Sequence, residues 1–199
     1  MAGILNVGDV KKGYEVYKMV SGEEQGGYSI TAFAKKDGFE YFMKMYQSPT
    51  AVSPAAQQEY FKNRIFKLMG KLGVPKIKNF IAQDKEFFLD EATGRYIKIS
   101  ELLRGVQLSK ILVSEPYNND GVTLSEALKY ATLISFAFRN IHELGITHGD
   151  LKPDNIFIEE RETLSGAKTK TVVLIDFDSA IISDLPKPKE IVEIGRAHV

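Results

Sequence analysis

Four polar side chains in the C-terminal half have the types and order that phosphate chemistry requires. Asp150, Lys152 and Asn155 fall within one short stretch of Ile146–Ile158 (ITHGDLKPDNIFI), and Asp176 follows the apolar run Val172–Ile175. Two carboxylates, a carboxamide and an amine on one loop rim could hold a hard cation through oxygen, neutralise phosphate charge and orient an incoming hydroxyl. Mg²⁺-dependent phosphoryl transfer needs that set. A polar turn between helix and strand would explain the residue types, but not their order.

Positioning these groups falls to the elements around them. Thr123-Leu124-Ser125-Glu126 is a capping box, and Leu124, Leu128, Ala131, Ile134, Phe138 and Ile141 recur at helical spacing. They predict a long buried helix ending near Gly145. Ile156–Ile158 and Val172–Ile175 predict short strands separated by a polar loop, Glu159–Thr171. The first half is β-rich, with strands expected at Tyr14–Val20, Tyr28–Lys35 and Phe39–Tyr46 and a tight turn at Asp37-Gly38. Ser53 reads as an N-cap with Pro54 at the first helical position, opening a helix that runs to about Leu72. A hairpin follows, Glu86–Leu89 with Arg95–Ser100. A sheet with one helix, then a helical part, predicts an α+β architecture with its boundary near Glu101–Gly105.

Composition narrows the class. The 199 residues include 26 basic and 26 acidic side chains, so no net charge draws the chain toward nucleic acid or anionic membrane. Apolar residues at 44% can build a core, which argues against disorder. The absence of cysteine excludes a disulfide scaffold, a thiolate metal site and a thiol nucleophile. No apolar run is long enough to span a bilayer, and the start has no signal-peptide layout. A cytoplasmic protein is expected.

The segment HGDLKPDN with the later IDFD closely resembles the catalytic loop H-R-D-L-K-P-x-N and the D-F-G of the serine/threonine protein kinase family. The resemblance implies a bilobal kinase-like fold, ATP and Mg²⁺ as cofactors, and a protein substrate. By position, Asp150 resembles the base that accepts the hydroxyl proton, and Lys152 the residue that steadies the transferred phosphate. Asn155 and Asp176 resemble the Mg²⁺ ligands. Ile97–Leu103 resembles the strand entering the adenine hinge, with Ser100 at the gate of the back pocket and the backbone of Glu101 and Leu103 toward adenine. His142 resembles the structural histidine near the end of the long helix. Lys44 resembles the third-strand lysine that binds the α- and β-phosphates. The phosphate-binding loop is degenerate, with Gly22, Gly26 and Gly27 as its glycines in VSGEEQGGYSIT.

The helical glutamate that should pair with Lys44 is ambiguous. Gln58 falls near the centre of the apolar helix face and Glu59 on its flank. Glu59 is the only acid between Gln47 and Gln83, which makes it the candidate by elimination. A solvated first-turn acid favoured by the helix dipole explains Glu59 equally well.

Two departures stand out. Gly149 replaces the arginine that pairs with an activation-segment phosphate, so control by that charge pair is not expected. Asp178 replaces the glycine of D-F-G, which would cost energy at a positive φ and bring a second carboxylate near the metal. His-Gly-Asp with Ile-Asp-Phe-Asp also resembles small-molecule phosphotransferases of the aminoglycoside and choline kinase type, whose acceptor is a small-molecule hydroxyl. A nucleotide-binding pseudokinase module is the third reading. Lys152 favours a protein substrate, and the retained Lys44, Asp150, Asn155 and Asp176 favour an active enzyme.

The expected organisation is an N-lobe over residues 1–100, a hinge at 101–105 and a partial C-lobe over 106–192 that lacks the later helices of the family. The last residues, Glu193–Val199 (EIGRAHV), match one reading frame of a common sequencing adapter, so 193–199 is expected to be a non-native tail. A fragment of this kind is expected to be inactive by itself, with the activity belonging to the intact parent.

Overall fold

Runs of Tyr, Phe, Val, Ile and Met in the first half form one antiparallel sheet in the computed structural model, which describes residues 5–20, 29–113, 122–162, 166 and 168–185. Its strands are β1 (Val10–Lys11), β2 (Tyr14–Met19), β3 (Ser29–Lys36), β4 (Phe39–Thr50), β5 (Asp84–Asp90) and β6 (Arg95–Glu101), in the order β1-β2-β3-β4-β6-β5. Asp37 and Gly38 both take positive φ, 51° and 81°, as a two-residue hairpin turn between β3 and β4 demands. Val16, Ala32, Ala34, Met43, Met45, Ile97 and Ile99 fill a core on one face. The period of two therefore turns Lys44 and Lys98, which are register partners, to the opposite face.

Helix α1 (Ala55–Leu72) covers that opposite face. Phe61 packs its ring against Tyr46, Phe87 and Tyr96 at centroid separations of 5.0, 5.7 and 5.6 Å. The helix does not begin as expected. Pro54 occupies the cap without a side-chain bond, and Ser53 Oγ instead accepts from the Thr50 N–H at 2.9 Å. Gln58 is drawn to this end, where its Nε2 donates to the carbonyls of Ala51 and Ser53 and its Oε1 accepts from the Tyr96 hydroxyl.

The second half supplies β7 (Val106–Gln107), α2 (Leu108–Val113), α3 (Leu124–Glu143), β8 (Ile146–Thr147), β9 (Ile156–Glu162), β10 (Lys168–Leu174) and β11 (Ile181–Ile182). Strands β10, β9 and β7 form one small sheet, and β11 pairs with β8. Thr123 caps α3 by accepting from the Glu126 N–H, as the capping box predicts. Burial of α3 is narrower than the periodicity implies. Ile141 is buried, with Tyr130, Ala137 and Asn140, but Leu124, Leu128 and Ala131 are exposed. The described elements cover one side of this helix, and its apolar stripe is wider than that side.

Most of the expected Glu159–Thr171 loop is instead ladder. Strands β9 and β10 pair from Leu174↔Ile156 out to Lys168↔Glu162. Between the two halves, the Leu174 N–H donates to the Phe80 carbonyl at 2.8 Å and the Ala82 N–H to the Leu174 carbonyl at 3.0 Å. The strand end that leads to Asp176 is thereby pinned to the segment joining α1 to β5. Gly22, Gly26, Gly27 and residues 193–199 lie outside the described residues.

Candidate active site

The short stretch after α3 is built around a buried histidine. His148 is 1% exposed, and its Nε2 meets the Ile175 carbonyl at 2.8 Å while Nδ1 accepts from the Asp150 N–H at 3.3 Å. That pair of bonds requires the neutral ring with its proton on Nε2. Buried Asn155 closes the stretch on itself, its Nδ2 donating to the Asp150 carbonyl at 2.8 Å and to Asp150 Oδ2 at 3.2 Å. Its own carbonyl accepts from the Ile175 N–H at 3.0 Å. Asp150 and Asn155 are thus held beside the residue preceding Asp176, at the adjoining ends of β9 and β10.

Lys152 Nζ lies 2.9 Å from Asp150 Oδ2. This hydrogen bond outweighs partial burial and holds the Asp150 carboxyl below the usual carboxylate range, while the same contact raises Lys152. Asp176 takes a left-handed conformation, φ 61°, which aims its side chain across to the large sheet. Its Oδ1 lies 2.9 Å from Lys44 Nζ. The side chains of Lys44, Asp150, Lys152, Asn155 and Asp176 therefore converge from both halves of the fold.

A second layer sits behind Lys44. Asp178 Oδ2 lies 2.6 Å from Lys44 Nζ, and Asp178 Oδ1 lies 3.1 Å from Lys98 Nζ and 3.0 Å from the Tyr46 hydroxyl, which donates to it. Lys98 also faces Asp84 at 3.6 Å, and the Ser100 hydroxyl donates to Asp84 at 2.6 Å. Burial opposes the charge on Asp178, but the Lys98 and Lys44 ammonium groups overcome it and hold this carboxyl far below its ordinary range. Burial likewise opposes the charge on Lys98, and Asp178, Tyr46 and Asp84 reverse it, so Lys98 titrates well above the normal lysine range. The positive φ expected at Asp178 falls at Asp176 instead, because Asp178 lies within the 3₁₀ turn Phe177–Ser179. Its carboxylate points toward the two lysines.

Two expected placements are corrected. Glu59 does not reach Lys44: its side chain is 62% exposed and pairs with Lys62 at 3.1 Å and Asn63 at 3.2 Å. Its flank of α1 faces solvent because Phe61 occupies the face toward the sheet. His142 is exposed with its ring beside Phe138, and His148 is the buried histidine. Glu101 and Leu103 border an open cavity of about 320 Å³, lined also by Leu102, Arg104, Glu159 and Glu160.

Sequence reasoning missed Lys98, Tyr46 and Arg64, whose guanidinium donates to the carbonyls of Asp178 and Ala180. The one available signal was the strand register, since Lys98 falls opposite Lys44 once β4 and β6 are paired. Among the described residues no cluster of three or more acids or histidines forms a metal cage. The donors present suit Mg²⁺ nonetheless, which takes few protein oxygens beside phosphate. Asp176 is partly open at 34% exposure, and Asn155, its amide nitrogen committed to Asp150, offers Oδ1.

Residues 18–193 match a family profile described as Protein kinase domain. Serine/threonine-protein kinase D of Synechocystis sp. is 31% identical over 106 residues, which cover 52% of this chain and 16% of that protein. The crystal structure of the kinase domain of PF14_0431 shares the fold with a TM-score of 0.68 at 18% identity, covering 92% of this chain and 56% of that one. The chain thus spans only a part of each relative.

Proposed function

Since the chain belongs to the protein kinase domain family, with the α+β kinase-like fold, we propose that it carries the catalytic apparatus for ATP- and Mg²⁺-dependent phosphoryl transfer to protein serine or threonine hydroxyls. The observation that supports this most is the Lys44–Asp176 contact at 2.9 Å, one residue along the chain from Ile175, whose N–H is bonded to Asn155. Structural turns have no need to bring a sheet lysine onto an acid of another element in this order.

In this reading Lys44 binds the α- and β-phosphates, and the backbone of Glu101 and Leu103 pairs with adenine. Asn155 and Asp176 hold Mg²⁺, which neutralises charge on the phosphate oxygens when bound. Asp150 accepts the proton of the incoming hydroxyl, its low proton affinity suited to a carboxylate that orients the acceptor and takes the proton late. Lys152, 2.9 Å from Asp150, neutralises the transferred phosphoryl group beside the acceptor. The sequence resemblance assigns the phosphate cover to Gly22, Gly26 and Gly27, which lie outside the described residues. The lysine beside the base favours a protein acceptor over a small-molecule hydroxyl. A neutral, cysteine-free chain in which no described helix is long and apolar enough to cross a membrane accords with a cytoplasmic setting and a partner other than nucleic acid.

The test is transfer of labelled γ-phosphate to casein, compared with a panel of aminoglycosides and choline. With the intact parent protein, Mg²⁺-dependent labelling of casein, lost in Asp150→Asn while ATP binding persists, is expected. Labelling of small molecules alone, or no ATP binding with Mg²⁺, overturns the proposal.

A further inference from the structure

In the kinase resemblance a helix glutamate holds the phosphate-binding lysine, and here α1 has none to offer. Glu59 is its only acid and is engaged at the surface with Lys62 and Asn63. The α1 side chains at the lysine layer are Phe61, edge-on to Tyr46 at 5.0 Å, and Arg64, which reaches the Asp178 carbonyl. We propose that Asp178 is the positioning residue for Lys44, replacing the helix acid, and that Lys98 and Tyr46 fix the orientation of its carboxylate. The inference rests on the reading of Lys44 as a phosphate-binding lysine.

The two oxygens of Asp178 divide the task. Oδ2 takes Lys44 at 2.6 Å, while Oδ1 takes Lys98 at 3.1 Å and the Tyr46 hydroxyl at 3.0 Å. Three donors fix the carboxylate, and two of them come from residues of the rigid sheet pair β4 and β6 beyond Lys44 itself. A carboxylate held by donors on both oxygens cannot rotate away from Lys44, which a single contact would allow. Lys98 in turn is balanced by Asp84, which Ser100 orients.

Asp176 also touches Lys44, but it is the more open of the two acids, at 34% against 24% exposure. With Asp176 engaged by a divalent cation, Asp178 would still be in contact with Lys44. The helix contributes through the Arg64 guanidinium instead, which donates to the backbone carbonyls of Asp178 and Ala180. Movement of the Glu59 side chain therefore leaves Lys44 where it is.

Titration calorimetry with Mg²⁺-ATP and with adenosine separates the possibilities, because adenosine has no phosphate for Lys44 to meet. Asp178→Asn is expected to weaken Mg²⁺-ATP binding about tenfold, the effect of one charge-assisted contact, and to leave adenosine affinity unchanged. Glu59→Gln is expected to change neither. Equal Mg²⁺-ATP affinity in Asp178→Asn and the wild type overturns the inference, as does a comparable loss in Glu59→Gln, with the kinase reading intact in both cases. A wild-type chain that binds neither ligand overturns the proposed function together with it. If Asp178→Asn lacks a cooperative melt, Glu59→Gln decides: unchanged affinity supports the assignment and a loss overturns it.

Discussion

A Cβ placed on Gly149 would lie 2.2 Å from the carbonyl oxygen of Ser179. The residue also sits at φ 82°, which side chains other than hydrogen rarely adopt. Glycine at this point of the HGD motif is thus required by the packing of one loop on the turn after Asp176. The arginine of the family motif has no room here.

Gly149→Ala is therefore expected to destabilise the protein by about 2–3 kcal/mol, combining a strained φ with a backbone clash. Urea denaturation at neutral pH measures this, and a midpoint equal to the wild type would refute the clash. Gly149→Arg is expected to be no better tolerated.

Lys98 and Asp178 are in contact at 3.1 Å in a partly buried site, and a double-mutant cycle reads that coupling. Lys98→Met leaves two carboxylates, Asp178 and Asp84, without a shared cation and is expected to cost about 3 kcal/mol. Adding Asp178→Asn removes part of that unbalanced charge, so the pair together should cost less than the sum of the singles by about 1 kcal/mol. Strict additivity in urea melts would show that the contact carries no energy.

The same residues show what the sequence could and could not convey. Strand positions were legible because Met43, Met45, Ile97 and Ile99 alternate, and the Asp37-Gly38 turn has one favoured geometry. The order of Asp150, Lys152, Asn155 and Asp176 was legible because family motifs fix spacing within a loop. Lys98 was not, since a lysine between two isoleucines looks like the solvent side of a strand, and it meets Asp178 and Asp84 only in the folded chain. The β9–β10 hairpin was equally hidden. Its outer rungs have no apolar alternation and instead pair opposite charges, Glu162 with Lys168 and Glu160 with Lys170. That palindrome of charge is a signal, but hydropathy does not register it.

Glu86 makes stability depend on pH in the acid range. It accepts from the Tyr14 hydroxyl at 2.9 Å and faces Lys12 at 2.7 Å and Lys36 at 3.4 Å. The Lys12 contact above all, against partial burial, lowers its carboxyl in the folded state below the ordinary value of 4.5. As pH falls the unfolded chain takes up this proton first, so the stabilisation is complete above the ordinary value and is lost through the lowered one. Glu86→Gln should cost roughly 1 kcal/mol at pH 7, after allowance for solvent screening. It should also flatten the stability profile below pH 4.5. A variant whose profile keeps the wild-type slope there would remove Glu86 from the account.

His148 joins the two parts of the candidate site, and its replacement should separate packing from positioning. The ring lies 4.5 Å from that of Phe177 and bonds both the Ile175 carbonyl and the Asp150 N–H. His148→Phe keeps an aromatic ring of similar size but strands one buried acceptor and one donor, which should cost about 2 kcal/mol. His148→Ala adds a cavity and should cost about 4 kcal/mol. Because Ile175 precedes Asp176, both variants are expected to loosen the register between Asp150 and Asp176. Phosphoryl transfer, where it is measured, should then fall further than ATP affinity, since Lys44 and residues 101–103 keep their places. Equal loss of both in His148→Phe would mean that the histidine supports the fold at large and does not align the two acids.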